Sequence, residues 1–381
     1  MWAQIWHQAI TRSLNDGKPF GKDKTVAFSV KVPIPSGRLR LRFSNLLGAA
    51  PYEIGAVSVW LDGTPHAATL GGKRSFFVPT GGKIYSDELG LRVSANDELQ
   101  IRIFYRSVIA DCNMIEEQAT LLDGDRTEDA IPDGVRKPLL GKILGAYNAI
   151  PALDAIELQT DEPPKTIVAF GDSITAMSRW TKPLAERLQK AYNGEYVLLN
   201  SGISGNCLLY EVDGILGRLF GGVYGEMGSV RFARDVLDAP NLSAVILGLG
   251  VNDVSYYSKK TKDTINLEAY KREITRLTDE LHARSVRVTM ETITPRLGVS
   301  LTMGKFTREM EAQRLLFNDW IRSAGIFDYV FDAEAVVREE RPDGFYYAEG
   351  LHQGDHLHPN AGGGQKLADA FDLGKLTGKD A

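Results

Sequence analysis

The pattern of apolar residues changes once along this chain of 381 residues, and the change limits the folds open to it. From Thr25 to about Arg106, apolar and polar residues alternate in short segments: TVAFSVKVPI, RLRLRFSNL, GAVSVWLDG, KRSFFVPT and ELQIRIFYR. A period of two, with Gly, Pro, Asn and Asp between the segments, is typical of antiparallel strands in a sandwich or barrel. We therefore predict an all-β, jelly-roll-like domain in this part of the chain.

From Ile167 onward, the chain alternates apolar strands with amphipathic helices. The strands are TIVAF, YVLLN, SAVILGLG, VRVTMETI and FDYVFD, and the helices are SRWTKPLAERLQKAY, LEAYKREITRLTDELHAR, KFTREMEAQRLLFNDWIRS and a last one from about Pro359. Strands that are almost wholly apolar are covered on both faces, which indicates a parallel sheet between layers of helices. This part is predicted to be a doubly wound α/β domain.

Length and local composition place the boundary between the two parts. A single hydrophobic core rarely extends over as many as 381 residues. The prolines and acidic residues between Ile150 and Lys165 are typical of a connector. We predict a β domain with its connector over residues 1–160, a second domain over residues 161–381, and a boundary near Pro163.

Composition argues against several classes of partner. The 44 Lys and Arg and the 49 Asp and Glu residues give a formal charge of -5 without a long run of one sign, so no nucleic-acid partner is expected. No apolar run reaches the roughly 18 residues that span a membrane. The N-terminus lacks a basic start followed by an apolar run, so a cytoplasmic protein is expected, or a secreted one if a signal was trimmed. Cys112 and Cys207 indicate neither a disulfide nor a metal site, and we expect buried or half-buried thiols.

The first chemically suggestive segment is Phe170-Gly171-Asp172-Ser173-Ile174-Thr175, between an apolar strand and a helix. Open α/β sheets bind ligands at the C-terminal ends of their strands. A serine in such a turn exposes its hydroxyl there, and the N–H groups of the turn point toward a developing anion. Ser173 is therefore a candidate nucleophile. For this segment alone, capping of the helix by Asp172 and Ser173 is the commoner role.

Two further strand ends offer hydrogen-bond donors. Asn200-Ser201-Gly202-Ile203-Ser204-Gly205-Asn206 follows the second strand, and a glycine there lets a backbone N–H approach a substrate. Gly250-Val251-Asn252-Asp253 follows the third strand, where the amide of Asn252 can supply one more donor. Each segment taken alone also fits an ordinary turn.

A histidine-rich loop follows the last strand. In Asp355-His356-Leu357-His358-Pro359-Asn360, an Asp three residues before a His can hold the imidazole, fix its tautomer and stabilise the imidazolium. Glu349 and His352 repeat this spacing and form a rival pair. Pro359 at a helix start, with glycines beyond it, favours Asp355 and His358.

A metal site in this loop is the less favoured alternative. His352, His356 and His358 are three of the six histidines of the chain, so metal ligation has to be considered. Cysteine ligands and an HExxH helix are both missing, so one loop would have to supply an unusual ligand set. No metal and no cofactor are predicted.

Joint occurrence at four strand ends, in this order, makes these segments resemble the SGNH hydrolase superfamily, also called the GDSL esterases and lipases. The resemblance covers about Thr166 to Leu373 and implies a flavodoxin-like α/β domain. It implies Ser173 as nucleophile, with His358 as base and Asp355 as its orienting acid. The implied oxyanion hole consists of the N–H groups of Ser173 and Gly205 and the amide of Asn252, with Asp172 and Asp253 in supporting positions.

The first half, with the phrase LRLRFSNLLGAAPYEIGAVSVWL, resembles bacterial members of this superfamily that carry an N-terminal β domain. Some residues depart from the family pattern. Ile174 stands where the GDSL name has Leu, Ala176 stands where many relatives have an acidic residue, and the stretch between Thr175 and Arg179 is short. We expect these departures to affect substrate contacts and not the chemistry.

The resemblance implies a serine esterase that acts on carboxylic esters. Short acyl groups, acetyl above all, are expected because no segment has the composition of an apolar lid, and the two-domain relatives suggest a carbohydrate or other small-molecule ester. The alternatives are a lipase or thioesterase on longer acyl chains, amide cleavage, and a glycan-binding protein with an inactive hydrolase domain. The oligomeric state is left open. Trp60 is expected in the β-domain core, residues 214–230 in a loop beside the active site, and Tyr256 to Thr264 in a solvated loop.

Overall fold

The computed structural model describes residues 1–11, 22–107, 112–115, 119–129, 148–211, 224–255, 266–301 and 304–379. They form two compact units, the first built mainly on Met1–Pro164 and the second on Lys165–Val212 and Glu226–Ala381. None of the helices in these ranges has the length and apolar character that crossing a membrane requires. Most of the segment 214–230 and the whole of Tyr256 to Thr264 lie outside the described residues.

The first unit is built from antiparallel strands. They are β1 Trp2–His7, β2 Lys24–Lys31, β3 Leu39–Ser44, β4 Tyr52–Leu61, β5 Thr64–Ala68, β6 Phe76–Val78, β7 Lys83–Tyr85, β8 Glu98–Tyr105, β9 Cys112–Ile115, β10 Thr120–Asp123, β11 Asn148–Pro151 and β12 Leu153–Gln159. One sheet has the order β1-β12-β3-β7 and another has the order β10-β2-β8-β4-β5, with β6 beside β4, while β9 pairs with β11.

The two larger sheets of this unit share one hydrophobic core. In β3, the alternation LRLRFS buries Leu39, Leu41 and Phe43, and these side chains belong to the same cluster as Val26 and Phe28 of β2. From β1 to β4, each connection carries the chain from one sheet to the other. This alternation confirms the all-β prediction and is compatible with a jelly-roll-like arrangement.

Five strands of this unit lie outside the stretch from Thr25 to Arg106 in which strands were predicted, namely β1, β9, β10, β11 and β12. β1 lies well before Thr25, where the predicted strands begin, and β12 occupies much of the predicted connector. β12 pairs with both β1 and β3, and its Ile156 is fully buried. Its acidic side chains suggested a solvated segment, but Asp154 and Glu157 are ion-paired with arginines of β3 at 2.7 and 2.6 Å. Paired charges allow a strand with acidic residues to lie inside a sheet.

Trp60 also differs from its prediction, because its side chain is only half-buried and lies outside the core cluster. Its indole N–H donates to the Thr127 carbonyl at 2.8 Å. The guanidinium of Arg102 lies 3.7 Å from the ring centroid, so an arginine stacks on this ring.

The second unit contains the predicted parallel sheet. Its strands are β13 Lys165–Gly171, β14 Tyr196–Asn200, β15 Leu242–Gly248, β16 Arg287–Glu291 and β19 Tyr329–Phe331, in the order β14-β13-β15-β16-β19. All four pairings are parallel. Counted within the unit this is the order 2-1-3-4-5, which is flavodoxin-like as expected. Two antiparallel hairpins are added, β17 Ser300–Leu301 with β18 Gly304–Lys305 and β20 Arg338–Arg341 with β21 Gly344–Tyr347.

Helices surround this sheet. They are α1 Ser173–Ala176, α2 Thr181–Tyr192, α3 Gly228–Phe232, α4 Leu267–His282, α5 Arg308–Ser323, α6 Ala333–Val337, α7 Ala361–Ala370 and α8 Leu373–Thr377. A π-helical turn, Ala233–Leu237, continues α3, and residues 251–255 are helical. Along β13, Val168 and Phe170 belong to the cluster that includes α4 and α5, while Ile167 and Ala169 belong to the cluster that includes α2 and α7. Both faces of the sheet are therefore buried, as its apolar strands predicted.

Candidate active site

Ser173 lies directly after β13, as the first residue of α1. The side chain of Asp172 caps this helix by accepting the N–H of Ile174 at 3.0 Å. The two roles considered for the turn are therefore divided between two residues. Asp172 is the cap, and the hydroxyl of Ser173 is left for another partner.

That partner is His358, which is brought to Ser173 from the loop after β21. The Oγ of Ser173 lies 2.8 Å from Nε2 of His358, and Nδ1 of His358 lies 2.6 Å from Oδ2 of Asp355. An ionised carboxylate only accepts, so Nδ1 carries a proton and donates it to Asp355. Nε2 of the neutral ring is then the acceptor for the Ser173 hydroxyl.

Asp355 is fixed by the backbone around it. Its Oδ1 accepts the N–H groups of Leu357 at 3.0 Å and His358 at 2.9 Å, and Oδ2 accepts the amide of Gln353 at 3.2 Å. Burial raises the pKa of Asp355, but the hydrogen bonds and the charge of His358 outweigh burial and hold that pKa well below its ordinary value. The carboxylate is therefore ionised at neutral pH.

The rival pair, Glu349 and His352, lies in the same loop but does not contact Ser173. Nδ1 of His352 accepts the N–H groups of Gly354 at 3.0 Å and His356 at 3.2 Å. Its Nε2 lies 3.5 Å from Oε2 of Glu349. The structure thus brings Asp355 and His358 to the serine and leaves the rival pair facing each other.

The metal alternative can be examined at one cluster in this loop. The candidate ligand atoms of Glu349, His352 and His356 lie within 4.8 Å of one another. Nδ1 of His352 accepts two backbone N–H groups, so it carries no proton. In a neutral imidazole, the proton is then on Nε2, the atom that would have to bind the ion. This donor set does not fit a metal ion.

The segments after β14 and β15 contain the residues predicted as hydrogen-bond donors, Gly205 and Asn252. Gly205 has φ +75°, in the left-handed region that favours glycine. Among the described residues, neither the Ser173 N–H nor the Gly205 N–H donates to a protein acceptor. Asn252 is buried, and its amide nitrogen donates one hydrogen to the Asn206 carbonyl at 3.0 Å. One amide hydrogen of Asn252 is left for a further acceptor.

Asp253 connects these two segments. Its fully buried carboxylate accepts the N–H groups of Leu208 and Leu209, both at 2.9 Å. Burial raises the pKa of Asp253 to about 6, although these N–H groups oppose the rise. Cys207, directly before Leu208, is a buried free thiol as predicted, and burial raises its pKa well above the ordinary value. The side chain of Cys112 lies outside the described residues.

Arg231 of α3 is a buried connection that the sequence did not reveal. Its guanidinium donates to the Gly171 carbonyl at 2.9 Å, the Ser201 carbonyl at 2.8 Å and Oδ1 of Asn206 at 3.0 Å. Its charge is paired with Asp235 at 3.1 Å. The ends of β13 and β14 are thereby joined through a single side chain. The spacing of Arg231 and Asp235 resembles a surface helix pair, so nothing in the sequence marked it.

Close backbone contact also requires one glycine beside the serine. A Cβ on Gly202 would lie 2.3 Å from the Ala176 nitrogen and 2.9 Å from the Asp172 carbonyl oxygen. Such contacts are sterically forbidden, so this segment can approach α1 only with glycine at this position. Gly202, which was quoted in the segment but not assigned a role, thus sets the spacing of the two loops.

Two buried carboxyl groups lie at strand ends, since Asp172 directly follows β13 and Glu291 is the last residue of β16. Burial raises the pKa of Asp172 to about 7, opposed by the Ile174 N–H and by the charge of Arg296. Burial and the neighbouring charge of Asp172 raise the pKa of Glu291 to about 8. Both line a cavity with Trp180 and Thr294. Glu291 was not predicted as a site residue.

Comparison with known proteins places the second half of the chain in a family. Residues 169–366 match the model of the GDSL-like Lipase/Acylhydrolase family. A search among curated proteins gives no match.

A search among solved structures finds, among others, the three proteins that follow. A lipolytic protein of the G-D-S-L family from Desulfitobacterium hafniense is 19% identical, over 54% of this chain and 97% of that chain, with a TM-score of 0.39. A GDSL-like lipase from Bacteroides thetaiotaomicron is 14% identical, over 57% and 91%, with a TM-score of 0.39. A catalytic mutant of an acetylxylan esterase from Geobacillus stearothermophilus is 18% identical, over 57% and 97%, with a TM-score of 0.39. Because the family model matches more than half of the chain, this protein belongs to the GDSL-like lipase/acylhydrolase family of the SGNH hydrolase superfamily.

Proposed function

We propose that this protein is a serine esterase that hydrolyses carboxylic esters through an acyl-serine intermediate. The observation that carries the proposal is the unbroken series of bonds from Ser173 Oγ to His358 Nε2 at 2.8 Å and from His358 Nδ1 to Asp355 at 2.6 Å. A serine hydroxyl is a weak nucleophile unless a base accepts its proton. Here the base is within hydrogen-bond reach and is itself oriented by an ionised carboxylate.

In the first step, Ser173 Oγ attacks the ester carbonyl carbon while its proton passes to His358 Nε2. Asp355 stabilises the imidazolium that forms, because its own pKa is held low and it stays ionised. His358 then gives the proton to the leaving alcohol. In the second step, His358 takes a proton from water as the water oxygen attacks the acyl-serine carbonyl. The C–Oγ bond then breaks, His358 returns the proton to Ser173 Oγ, and the acid product leaves.

The tetrahedral intermediates carry a negative oxygen, which requires hydrogen-bond donors already in place. We assign this role to the N–H groups of Ser173 and Gly205 and to the second amide hydrogen of Asn252. Two observations support the assignment: both N–H groups are without an acceptor in the described part of the chain, and Asn252 is held by its bond to the Asn206 carbonyl. Asp172 and Asp253 support these donors as a helix cap and as an acceptor for the loop of Leu208.

The acyl group is proposed to be short, with acetyl as the first candidate, and the alcohol to be a small molecule or a carbohydrate. The support is the sequence, in which no segment has the composition of an apolar lid. Rates with 4-nitrophenyl acetate, butyrate, octanoate and palmitate test the acyl length. Rates that fall with length support the proposal, and rates that rise steadily would indicate a lipase.

The nucleophile is tested with a fluorophosphonate probe, which reacts only with an activated serine. We expect one equivalent to attach to Ser173, no labelling of Ser173→Ala, and no ester hydrolysis by that variant. Asn252→Ala is expected to lower kcat by about a hundredfold or more if Asn252 donates to the oxyanion. A wild-type protein that is neither labelled nor active on any ester would contradict the proposal.

A further inference from the structure

Arg296, after β16, is an almost fully buried cation that differs from the other buried arginines of this unit. It is 3% exposed, and its Nη1 donates to the Val251 carbonyl at 3.0 Å and to the hydroxyl of Ser255. Its Nε is buried and has no hydrogen-bond partner. Both of its described hydrogen bonds thus leave from one nitrogen of the guanidinium.

No carboxylate of the described residues lies within ion-pair distance of Arg296, whose guanidinium carbon instead lies 5.6 Å from the centroid of the Phe306 ring. By contrast, Arg314 is ion-paired with two glutamates at 2.6 and 2.8 Å, and Arg231 is ion-paired with Asp235 at 3.1 Å. A buried charge without a partner is strongly unfavourable, so such groups are usually satisfied by a ligand or are kept for function. Within the second unit, Arg296 is the described buried arginine to which this reasoning applies.

Its position is beside the proposed catalytic residues. Arg296 holds the carbonyl of Val251, the residue immediately before Asn252. Its pKa is lowered to about 10 by burial, while the charges of Asp172 and Asp355 oppose this effect, so the guanidinium remains cationic at neutral pH. Gly298, two residues further on, lies beside the histidine-rich loop. A Cβ at this position would lie 3.4 Å from the ring of His356.

We propose that Arg296 forms an anion subsite of this active site, so that the ester cleaved by Ser173 carries a carboxylate or a similar oxyanion close to its carbonyl group. The inference rests on the proposed function and adds a substrate class to it. The guanidinium presents its donors in a planar fork that matches a carboxylate. Nη1 is used by the protein, whereas the buried Nε has no protein partner, so we assign the Nε edge of the fork to the substrate oxyanion.

The anion can lie on either side of the ester bond, and two pairs of substrates distinguish the sides. For the acyl side, 4-nitrophenyl hemisuccinate is compared with 4-nitrophenyl butyrate, which has a similar length and no charge. For the alcohol side, acetoxyacetate is compared with acetoxyacetamide. We expect kcat/KM of the wild-type protein to favour the anionic member of one pair by about tenfold or more, the effect of one charge-assisted hydrogen bond.

Arg296→Met is expected to remove that preference, lowering the ratio of anionic to neutral kcat/KM by about tenfold or more, while Arg296→Lys retains part of it. The matched control is Arg308→Gln, which removes the same charge from an exposed side chain of this unit. The control should leave the ratio unchanged. A role restricted to holding Val251 and Ser255 would lower both members of a pair equally, and that result would overturn the proposal.

A measurement on the unmodified protein covers the case in which Arg296→Met does not fold. Succinate should inhibit hydrolysis of 4-nitrophenyl acetate at a concentration about tenfold lower than succinamide does. Equal inhibition by the two compounds, or a wild-type protein without preference in either pair, would overturn the subsite but not the esterase. If Ser173 is not labelled and no ester is cleaved, the proposed function fails and the subsite fails with it.

Discussion

Two acid–histidine pairs with the same spacing lie in one loop, and they differ in where the backbone N–H groups point. In the pair Asp355 and His358, two backbone N–H groups bind the carboxylate. In the pair Glu349 and His352, two backbone N–H groups bind the imidazole instead. The first arrangement leaves Nε2 of the ring as an acceptor, whereas the second uses the acceptor nitrogen and leaves an N–H.

The comparison teaches that spacing alone does not make a general base. An imidazole can accept a serine proton only if its unprotonated nitrogen is not already bound by backbone N–H groups. A carboxylate can orient the imidazole only if other groups hold the carboxylate in place. His358 and Asp355 satisfy both conditions, while His352 and the mostly exposed Glu349 satisfy neither. This difference between the two acid–histidine pairs can be tested in four ways.

The largest expected effect is that of removing the base. His358→Ala should lower kcat by roughly 10⁵- to 10⁶-fold, because the serine loses its proton acceptor. His352→Asn, which keeps an acceptor near the position of Nδ1, should lower kcat by no more than about tenfold, the effect of one or two weakened hydrogen bonds. Steady-state kinetics on 4-nitrophenyl acetate measure both. Equal losses in the two variants would abolish the distinction between the pairs.

Replacing the acid of each pair should affect kcat in the same order as replacing its histidine. Asp355→Asn is expected to lower kcat by about 10⁴-fold, since an amide at this position favours the wrong tautomer of His358. Glu349→Gln should stay within a few-fold of the wild-type rate, because its side chain is largely exposed and far less constrained. A larger loss in Glu349→Gln than in Asp355→Asn would reverse the assignment of the two pairs.

Stability should depend on pH through Asp355. Its pKa is lower in the folded than in the unfolded state, so its ionised form stabilises the fold above the ordinary value near 3.8, and this contribution is lost as the pH falls below that value. Asp355→Asn should therefore reduce the free energy of unfolding by about 1–2 kcal/mol at pH 5, with a smaller difference near pH 2. Urea unfolding at both pH values measures it, with Glu349→Gln as the control. If the loss of unfolding free energy caused by Asp355→Asn were larger at the lower pH, the predicted direction of the pH dependence would be wrong.

The smallest expected effect is that of metal ions. Because the donor set of Glu349, His352 and His356 does not fit an ion, dialysis against a chelator should leave kcat unchanged, and zinc should bind no tighter to the wild-type protein than to His356→Ala. Isothermal titration calorimetry with zinc alone tests this. Tight zinc binding that is lost in His356→Ala would contradict this prediction. It would show that Nδ1 of His352 gives up its hydrogen bonds from the backbone N–H groups when the ion binds.

Much of the geometry of the candidate site was predictable because it depends on position along strands. Ser173, Gly205, Asn252 and His358 all follow strands or lie in strand-end loops, and a parallel sheet brings such ends to one edge. Period and order in the sequence therefore sufficed to group them. The choice between His358 and His352 required the hydrogen bonds of the loop, and Pro359 was only an indirect guide, since α7 begins at Ala361 with Asn360 as its cap.

Other features could not be predicted because their partners are distant in sequence. β12 has the acidic residues of a connector, and only its pairing with β1 and β3 shows that these charges are neutralised by arginines. Arg231 and Arg296 look like ordinary surface cations in the sequence. Their burial depends on how loops from several strands pack together, which no local pattern encodes.

The guanidinium of Arg231 has a consequence for how this protein loses activity. Because one side chain holds the carbonyls of Gly171 and Ser201 and the amide of Asn206, the segments that carry the proposed nucleophile and a proposed oxyanion donor cannot loosen independently. Heating should therefore not yield a weakly active form with one displaced loop. Inactivation and the melting of this edge of the sheet should be a single cooperative event. The fraction of activity that remains on heating should therefore equal the fraction of protein that is still folded.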